Sequence, residues 1–266
     1  MSISLSLKHI YGHRSFIIGS VKREFQQRYQ NSILGAAWGI INPLSMIFVY
    51  TVIFSQLMRA KLPGVESVFG YSIFLCSGIL TWGLFSEIIG RYVNLFIDNA
   101  NLLKKINFPI ICLPIIAFLN AFVNFVIIFS LFVIFLIFTG NFPNLNFLFI
   151  FPVYAVLVFF AISFGLFFGI LNVFFRDVGQ FIGIVLQFWF WGTPIIYPIS
   201  VLPENFQFLV RFNPLTGLME ALQGIIVSSQ KPTIDMLLPA FICSLVIGLL
   251  ALRLYSKHVH EMVDEL

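Results

Sequence analysis

The sequence predicts an all-α membrane protein: six transmembrane helices, an N-terminal amphipathic interface helix, and short re-entrant helices at the outer face before the last span. Three observations predict it. Hydrophobic residues make up 59% of the 266, while charged residues make up only 10%. A soluble domain carries about 25% charged residues, and one this poor in charge would expose large apolar patches to water. Second, no Asp, Glu, Lys or Arg occurs in residues 29–58, 67–86, 106–175, 178–203 or 236–252, and a helix needs about 20 apolar residues to cross a bilayer. Third, the apolar stretch 195–230 is broken by Pro198, Pro203 and Pro214. It is too interrupted for a simple span and too apolar for a free loop.

The elements follow in order. Residues 1–32 form a cytoplasmic N-terminus containing the helix 16–30. Ile18, Val21, Phe25 and Tyr29 fall on one helical face, and Lys22, Arg23, Gln26, Gln27 and Gln30 cover the other. This is the pattern of a basic helix lying on a membrane surface; the alternative is an ordinary cytosolic helix with a solvated basic face. Spans are expected at 33–58, 70–94, 110–138, 147–174, 178–199 and 236–255, the third and fourth separated by the turn sequence Thr139–Asn146. Glu87 and Arg91, spaced i,i+4 near the end of the second span, suit a structural salt bridge.

In the loop 95–109, Asp98 can cap a short helix through 99–105 that presents Leu102, Leu103, Lys104 and Lys105. Such a helix suits a docking surface for a soluble partner, or a connecting turn whose lysines only enforce topology; both readings stand. Arg176 and Asp177 make a charged corner between the fourth and fifth spans. Trp189, Phe190, Trp191 and Tyr197 then cluster at the end of the fifth. That cluster is either an interfacial aromatic belt or a stacking surface for sugar rings, and periodicity does not separate the two. Residues 256–266 form a C-terminal tail.

Charge sets the orientation. With six crossings, ten Lys and Arg residues fall on the side of the termini and four on the other, leaving Arg91 uncounted. The positive-inside rule therefore places both termini in the cytoplasm. No cleavable signal peptide is evident, and Cys76, Cys112 and Cys243 sit in apolar segments as packing residues. The chain has no GxxxxGK[ST] phosphate loop, no Cys/His metal spacing and no carboxylate pair for acid–base chemistry. A net charge of +4 does not point to nucleic acid. These absences disfavour an enzyme; an embedded glycosyl or acyl transferase would need acidic or histidine motifs that are not found.

Three motifs carry a family resemblance. LNVFFRDVGQFIGIVLQFWFWGTPIIYP (171–198), NPLTGLMEALQG (Asn213–Gly224) and NSILGAAWGIINPLSM (Asn31–Met46) resemble permease subunits of polysaccharide-exporting type-2 ABC transporters. O-antigen exporters are nearest, with capsule and teichoic acid permeases as relatives, and the resemblance runs nearly end to end. It implies a homodimer in the bacterial inner membrane, served by two copies of a separate P-loop ATPase that holds ATP and Mg, with no cofactor on this chain and a lipid-linked polysaccharide as substrate. It further implies a coupling helix at Asn101, Leu102, Leu103, Lys104 and Lys105. An interface helix with Lys22, Arg23, Phe25 and Arg28 would flank the inward gate, and the 195–230 helices would form an outer gate. The first and fifth spans would line the glycan path, with Trp38, Tyr50, Trp189, Phe190, Trp191 and Tyr197 as lining or gating residues.

Overall fold

The computed structural model describes residues 12–28, 30, 34–57, 62, 67–105, 110 and 112–265. Its elements are α1 (Arg14–Arg28), α2 (Trp38–Tyr50, continuing as a π-helical segment Thr51–Leu57), α3 (Gly70–Val93), α4 (Leu95–Asp98), α5 (Ala100–Lys105), α6 (Cys112–Phe138), α7 (Ile150–Phe174), α8 (Asp177–Trp191), α9 (Glu204–Arg211), α10 (Pro214–Ser228) and α11 (Ile234–Glu265). Helices are what a bilayer demands of such a sequence, because they satisfy every backbone group within one segment.

Among the described residues, five segments are long and apolar enough to cross a membrane: Trp38–Ser55, Gly70–Val93, Cys112–Phe138, Leu145–Phe174 and Ile234–Val259. They coincide with five of the six expected spans. The fifth expected span, 178–199, differs: α8 ends at Trp191 after 15 residues. At a rise of about 1.5 Å per residue it reaches roughly 22 Å, short of a hydrocarbon core of about 30 Å. The cause is local. Gly192 follows, and Pro194 lacks an N–H and disfavours helical geometry at Thr193.

α3 is the central pillar, burying Ile73, Leu84, Phe85, Ile88, Ile89 and Tyr92. α7 packs on both α3 and α11, while α6, α8 and α10 also lie against α3. The α3–α7 approach depends on two glycines one turn apart. A Cβ at Gly165 would sit 2.6 Å from Tyr92 Cβ, and one at Gly169 would sit 2.3 Å from the Tyr92 carbonyl oxygen. With no hydrophobic force to separate helix from lipid, such small-residue contacts set which helices meet. Tyr92 also donates its hydroxyl to the Pro114 carbonyl at 2.7 Å, tying in α6.

The buried residue of α1 is Ile17, 4% exposed, while Ile18 is 65% exposed. α1 packs on α6 with Ile17 toward the bundle, which leaves Ile18 of the expected apolar face open and Val21 and Phe25 half-buried; Tyr29 lies outside the described residues. The expected loop helix 99–105 is present as α5 (Ala100–Lys105), set off by Asn99 from the short α4 before it; the Asn99 amide donates to the Leu95 carbonyl at 2.8 Å. Asp98 makes no side-chain hydrogen bond among the described residues. Leu102 and Leu103 are half-buried against the core and are not presented outward. The tail expected from residue 256 continues α11 as helix to Glu265.

The glycine contact yields a test. Gly169→Ala meets backbone that has no room to yield, so it should cost about 1–3 kcal/mol, as overpacking does. Gly90, also in α3, has no atom within 4 Å of a new Cβ, and Gly90→Ala should leave stability unchanged or slightly raised. Scanning fluorimetry of both variants in detergent distinguishes them, and equal melting temperatures would remove the close-approach argument.

Candidate functional site

The structure gathers polar chemistry at two ends of the bundle. One lies opposite α1, where α8 stops. Residues 192–203 are mostly non-helical, so their peptide groups cannot bond to one another as in a span, and in a membrane each unpaired group costs several kcal/mol. Side chains take over this task. Asn213 donates to the Gly192 carbonyl at 3.2 Å and to Thr193 Oγ1 at 2.8 Å. Gln223 donates to the carbonyls of Pro194 at 3.3 Å and Ile195 at 3.1 Å. Tyr71 donates to the Ile196 carbonyl, and Tyr197 to that of Trp191, each at 2.7 Å. Gly78 lets the segment settle on α3, since a Cβ there would lie 2.6 Å from the Ile195 carbonyl oxygen.

Asn213 is the hub. Its Oδ1 accepts from the Leu215 amide at 3.0 Å, capping α10, and from Trp189 Nε1 at 2.9 Å. One side chain therefore joins the end of α8 to the start of α10. Trp189 is correspondingly an anchor: its ring meets Phe85, Phe160 and Phe164 at 5.3–6.1 Å between centroids. Phe190 packs on Trp82 at 5.6 Å and on Trp191 at 5.3 Å. Trp191 is 60% exposed, and Tyr197 is half-buried. Trp38 is 41% exposed, and Tyr50 sits at 6.4 Å from Phe54 on α2. The six aromatics expected to act together thus divide into an interior anchor, exposed rings and a backbone-bonding tyrosine.

Two exposed stripes stand out. On α8, Gln180, Ile184, Gln187 and Trp191 occupy one face; on α2, Trp38, Asn42, Ser45 and Val49 do the same. Among the described residues, Gln180, Gln187 and Asn42 make no side-chain hydrogen bond. Amides on an outward face of a membrane-embedded helix are poorly served by lipid.

At the other end lies a charge cluster. Arg91 on α3 bonds Glu87 through Nε and Nη2, each at 3.1 Å, as the i,i+4 spacing predicts. It also meets Glu24 of α1 at 2.5 Å. Asn120 donates to Glu24, and Asn124 donates to Glu87 at 2.8 Å. Three helices are thereby fastened at one guanidinium. Sequence reasoning missed Glu24, Asn120 and Asn124; the available signals were one acid inside a basic helix and two asparagines an α-turn apart in the long apolar α6. A cavity of about 430 Å³ lined by Arg23, Glu24, Arg91 and Asp98 opens beside the cluster. Lys22 and Arg23 are exposed, Arg23 donating to Ser20 at 2.8 Å, and Phe25 is half-buried. Asn101 is exposed. The side chains of Arg28, Lys104 and Lys105 lie outside the described residues.

Arg176 and Asp177 are both exposed and form no ion pair among the described residues. The corner they were expected to hold is held by Asn172, whose amide donates to the Val93 carbonyl at 2.9 Å while its Oδ1 accepts from the Gly179 amide at 2.8 Å. Among the described residues no cluster of His, Cys, Asp and Glu could hold a metal ion.

Comparison with known proteins adds to this geometry. Residues 17–227 match the family model described as ABC-2 type transporter. An O-antigen export system permease protein of Klebsiella pneumoniae is 29% identical over 219 residues, 82% of each chain. One from Myxococcus xanthus is 27% identical over 263 residues, 98% of each chain. A polysialic acid transport protein of Escherichia coli is 23% identical over 200 residues, covering 74% of this chain and 76% of that one.

Two variants test the joints. Asn213→Ala removes a helix cap and leaves the partly buried Trp189 Nε1 without a partner; at about 1–3 kcal/mol for a stranded buried donor, it should lower the detergent melting temperature by several degrees. Arg91→Met leaves the Glu24 and Glu87 carboxylates facing each other without a cation and should destabilise more than Glu24→Gln, which keeps the Arg91–Glu87 pair. Limited proteolysis within α1 reads this out; equal protection of α1 in both variants would contradict a clamp at Arg91.

Proposed function

The chain belongs to the ABC-2 type transporter membrane family, and on that premise we propose that it is the membrane subunit of an exporter of lipid-linked polysaccharide, O-antigen foremost, across a bacterial inner membrane. Two copies would form the channel, and two copies of a separate P-loop ATPase would drive it. The names of the O-antigen and polysialic acid relatives support the substrate class. Their higher identity favours O-antigen over capsule.

One observation of this chain carries the reading: the paired stripes on α2 and α8, where amides and tryptophans share an outward face. Lipid solvates such a mixture badly, but a channel between two copies suits it. Each sugar hydroxyl would cost roughly 1–3 kcal/mol to strip of water in hydrocarbon. Amide side chains replace those hydrogen bonds, and exposed rings such as Trp191 and Trp38 offer flat surfaces to the C–H faces of passing sugars.

In this reading α8 and the pinned segment 192–203 together supply the sixth crossing. α9 and α10 dip back from the outer face, and both termini lie in the cytoplasm with the excess of Lys and Arg. α3 then ends at the cytoplasmic surface and leads through Asn94 into α4 and α5, the contact for the ATPase. The Arg91 joint couples movement there to α1. ATP and Mg stay in the partner, since this sequence contains no phosphate loop.

The reading is tested by purifying the tagged chain in mild detergent and measuring surface polysaccharide in cells. A P-loop ATPase should co-purify at one copy per chain. Trp191→Ala combined with Gln187→Leu should reduce surface polysaccharide about tenfold or more, an effect worth at least 1.4 kcal/mol, with ATPase association unchanged. Trp189→Ala should act differently, lowering melting temperature and recovery together. Normal export in the Trp191/Gln187 double variant would sink the channel assignment of α8.

A further inference from the structure

Beyond the Asn213 joint, α10 carries further polar groups toward its C-terminal half. Glu220, Gln223, Gly224 and Val227 recur at i, i+3, i+4 and i+7, and together they line a cavity of about 280 Å³ at the end of the bundle opposite α1. The far wall includes Phe74, Pro194, Pro198 and Ser200. Gln230 closes the rim. Ser229 adopts a left-handed conformation at φ 51°, so the chain folds back and the Gln230 amide nitrogen donates to the Gly224 carbonyl at 3.1 Å. The Gln230 side chain then overlies Gly224, its Oε1 3.6 Å from where a Cβ would stand.

We propose that this cavity is a saccharide subsite, holding a single pyranose unit through Glu220, Gln223 and Gln230. The inference rests on the polysaccharide-exporter reading above and deepens it by placing a sugar-binding point outside the stripes of α2 and α8. The donor and acceptor inventory selects the ligand. Gln223 spends both amide hydrogens on Pro194 and Ile195, which leaves its Oε1 as an acceptor. Among the described residues, Glu220 makes no ion pair and no hydrogen bond, although it lines the cavity. The cavity is thus rich in unspent acceptors, and a sugar ring offers vicinal hydroxyl donors to them.

Hydroxyl donors to a carboxylate make charge-assisted bonds, the stronger kind. The rings of Phe74 and Pro198, with Val227, give the C–H face of a pyranose an apolar bed. A divalent cation would find one carboxylate where such ions take six or more oxygen ligands. A small amine would use Glu220 and leave both amide oxygens idle.

Saturation-transfer NMR on the purified full chain in lipid nanodiscs tests the subsite, with D-mannose, D-galactose and N-acetyl-D-glucosamine as probes and ethanolamine as the cationic comparison. At least one sugar should receive transfer to its ring protons. Glu220→Gln, close in shape to the native residue, should cut that transfer about fivefold or more, the loss of roughly one charge-assisted hydrogen bond; Gln230→Ala should cut it as well, with melting temperatures unchanged. No transfer to any of the three sugars, undiminished transfer in Glu220→Gln, or transfer to ethanolamine alone would overturn the proposal. Those results would leave the permease reading intact so long as the Trp191/Gln187 double variant loses export. If cells lacking the chain display normal surface polysaccharide, the exporter reading falls and this inference with it.

Discussion

A peptide group inside a bilayer has no water to turn to, and that constraint organises this molecule. Its helices meet it locally. The stretch after Trp191 does not, because Gly192 and Pro194 end α8 before it has the length to cross. Asn213, Gln223, Tyr71 and Tyr197 then bond the freed carbonyls one after another. The same bonds fix much else: the cap of α10, the seating of the segment on Gly78, and the anchoring of Trp189 among Phe85, Phe160 and Phe164.

The Arg91 cluster answers the same constraint for charge. A guanidinium near the end of a span needs partners, and it draws Glu87 from its own helix and Glu24 from α1, with Asn120 and Asn124 satisfying the carboxylates. The bundle is therefore held by a polar joint at each end and an apolar middle. Beside the Arg91 joint, close fit decides: Gly165 and Gly169 bring α7 against the backbone of Tyr92.

The surface left unpartnered by one chain is informative for the same reason. α3, α7 and α10 are largely enclosed, whereas α2 and α8 turn amides and tryptophans outward. Among the described residues, the amides of these stripes and the Glu220 carboxylate make no side-chain hydrogen bond within the chain.

What the sequence determined by itself was everything that depends on neighbours along the chain. Charge-free windows located five spans within a few residues, prolines marked where 195–230 could not be a simple helix, and the i,i+4 spacing was enough to pair Glu87 with Arg91. What only the tertiary structure decided was which face of each helix is covered. In water, amphipathic periodicity shows the buried face, but lipid is as apolar as the protein core, so that signal fades in a span. Hence Ile17 and not Ile18 turns inward, and Trp189 anchors while Trp191, two positions on, stays exposed. Glu24 reaches Arg91 across 67 positions and Asn172 reaches Val93 across 79, contacts that no local pattern encodes because the partners meet only after the helices have packed.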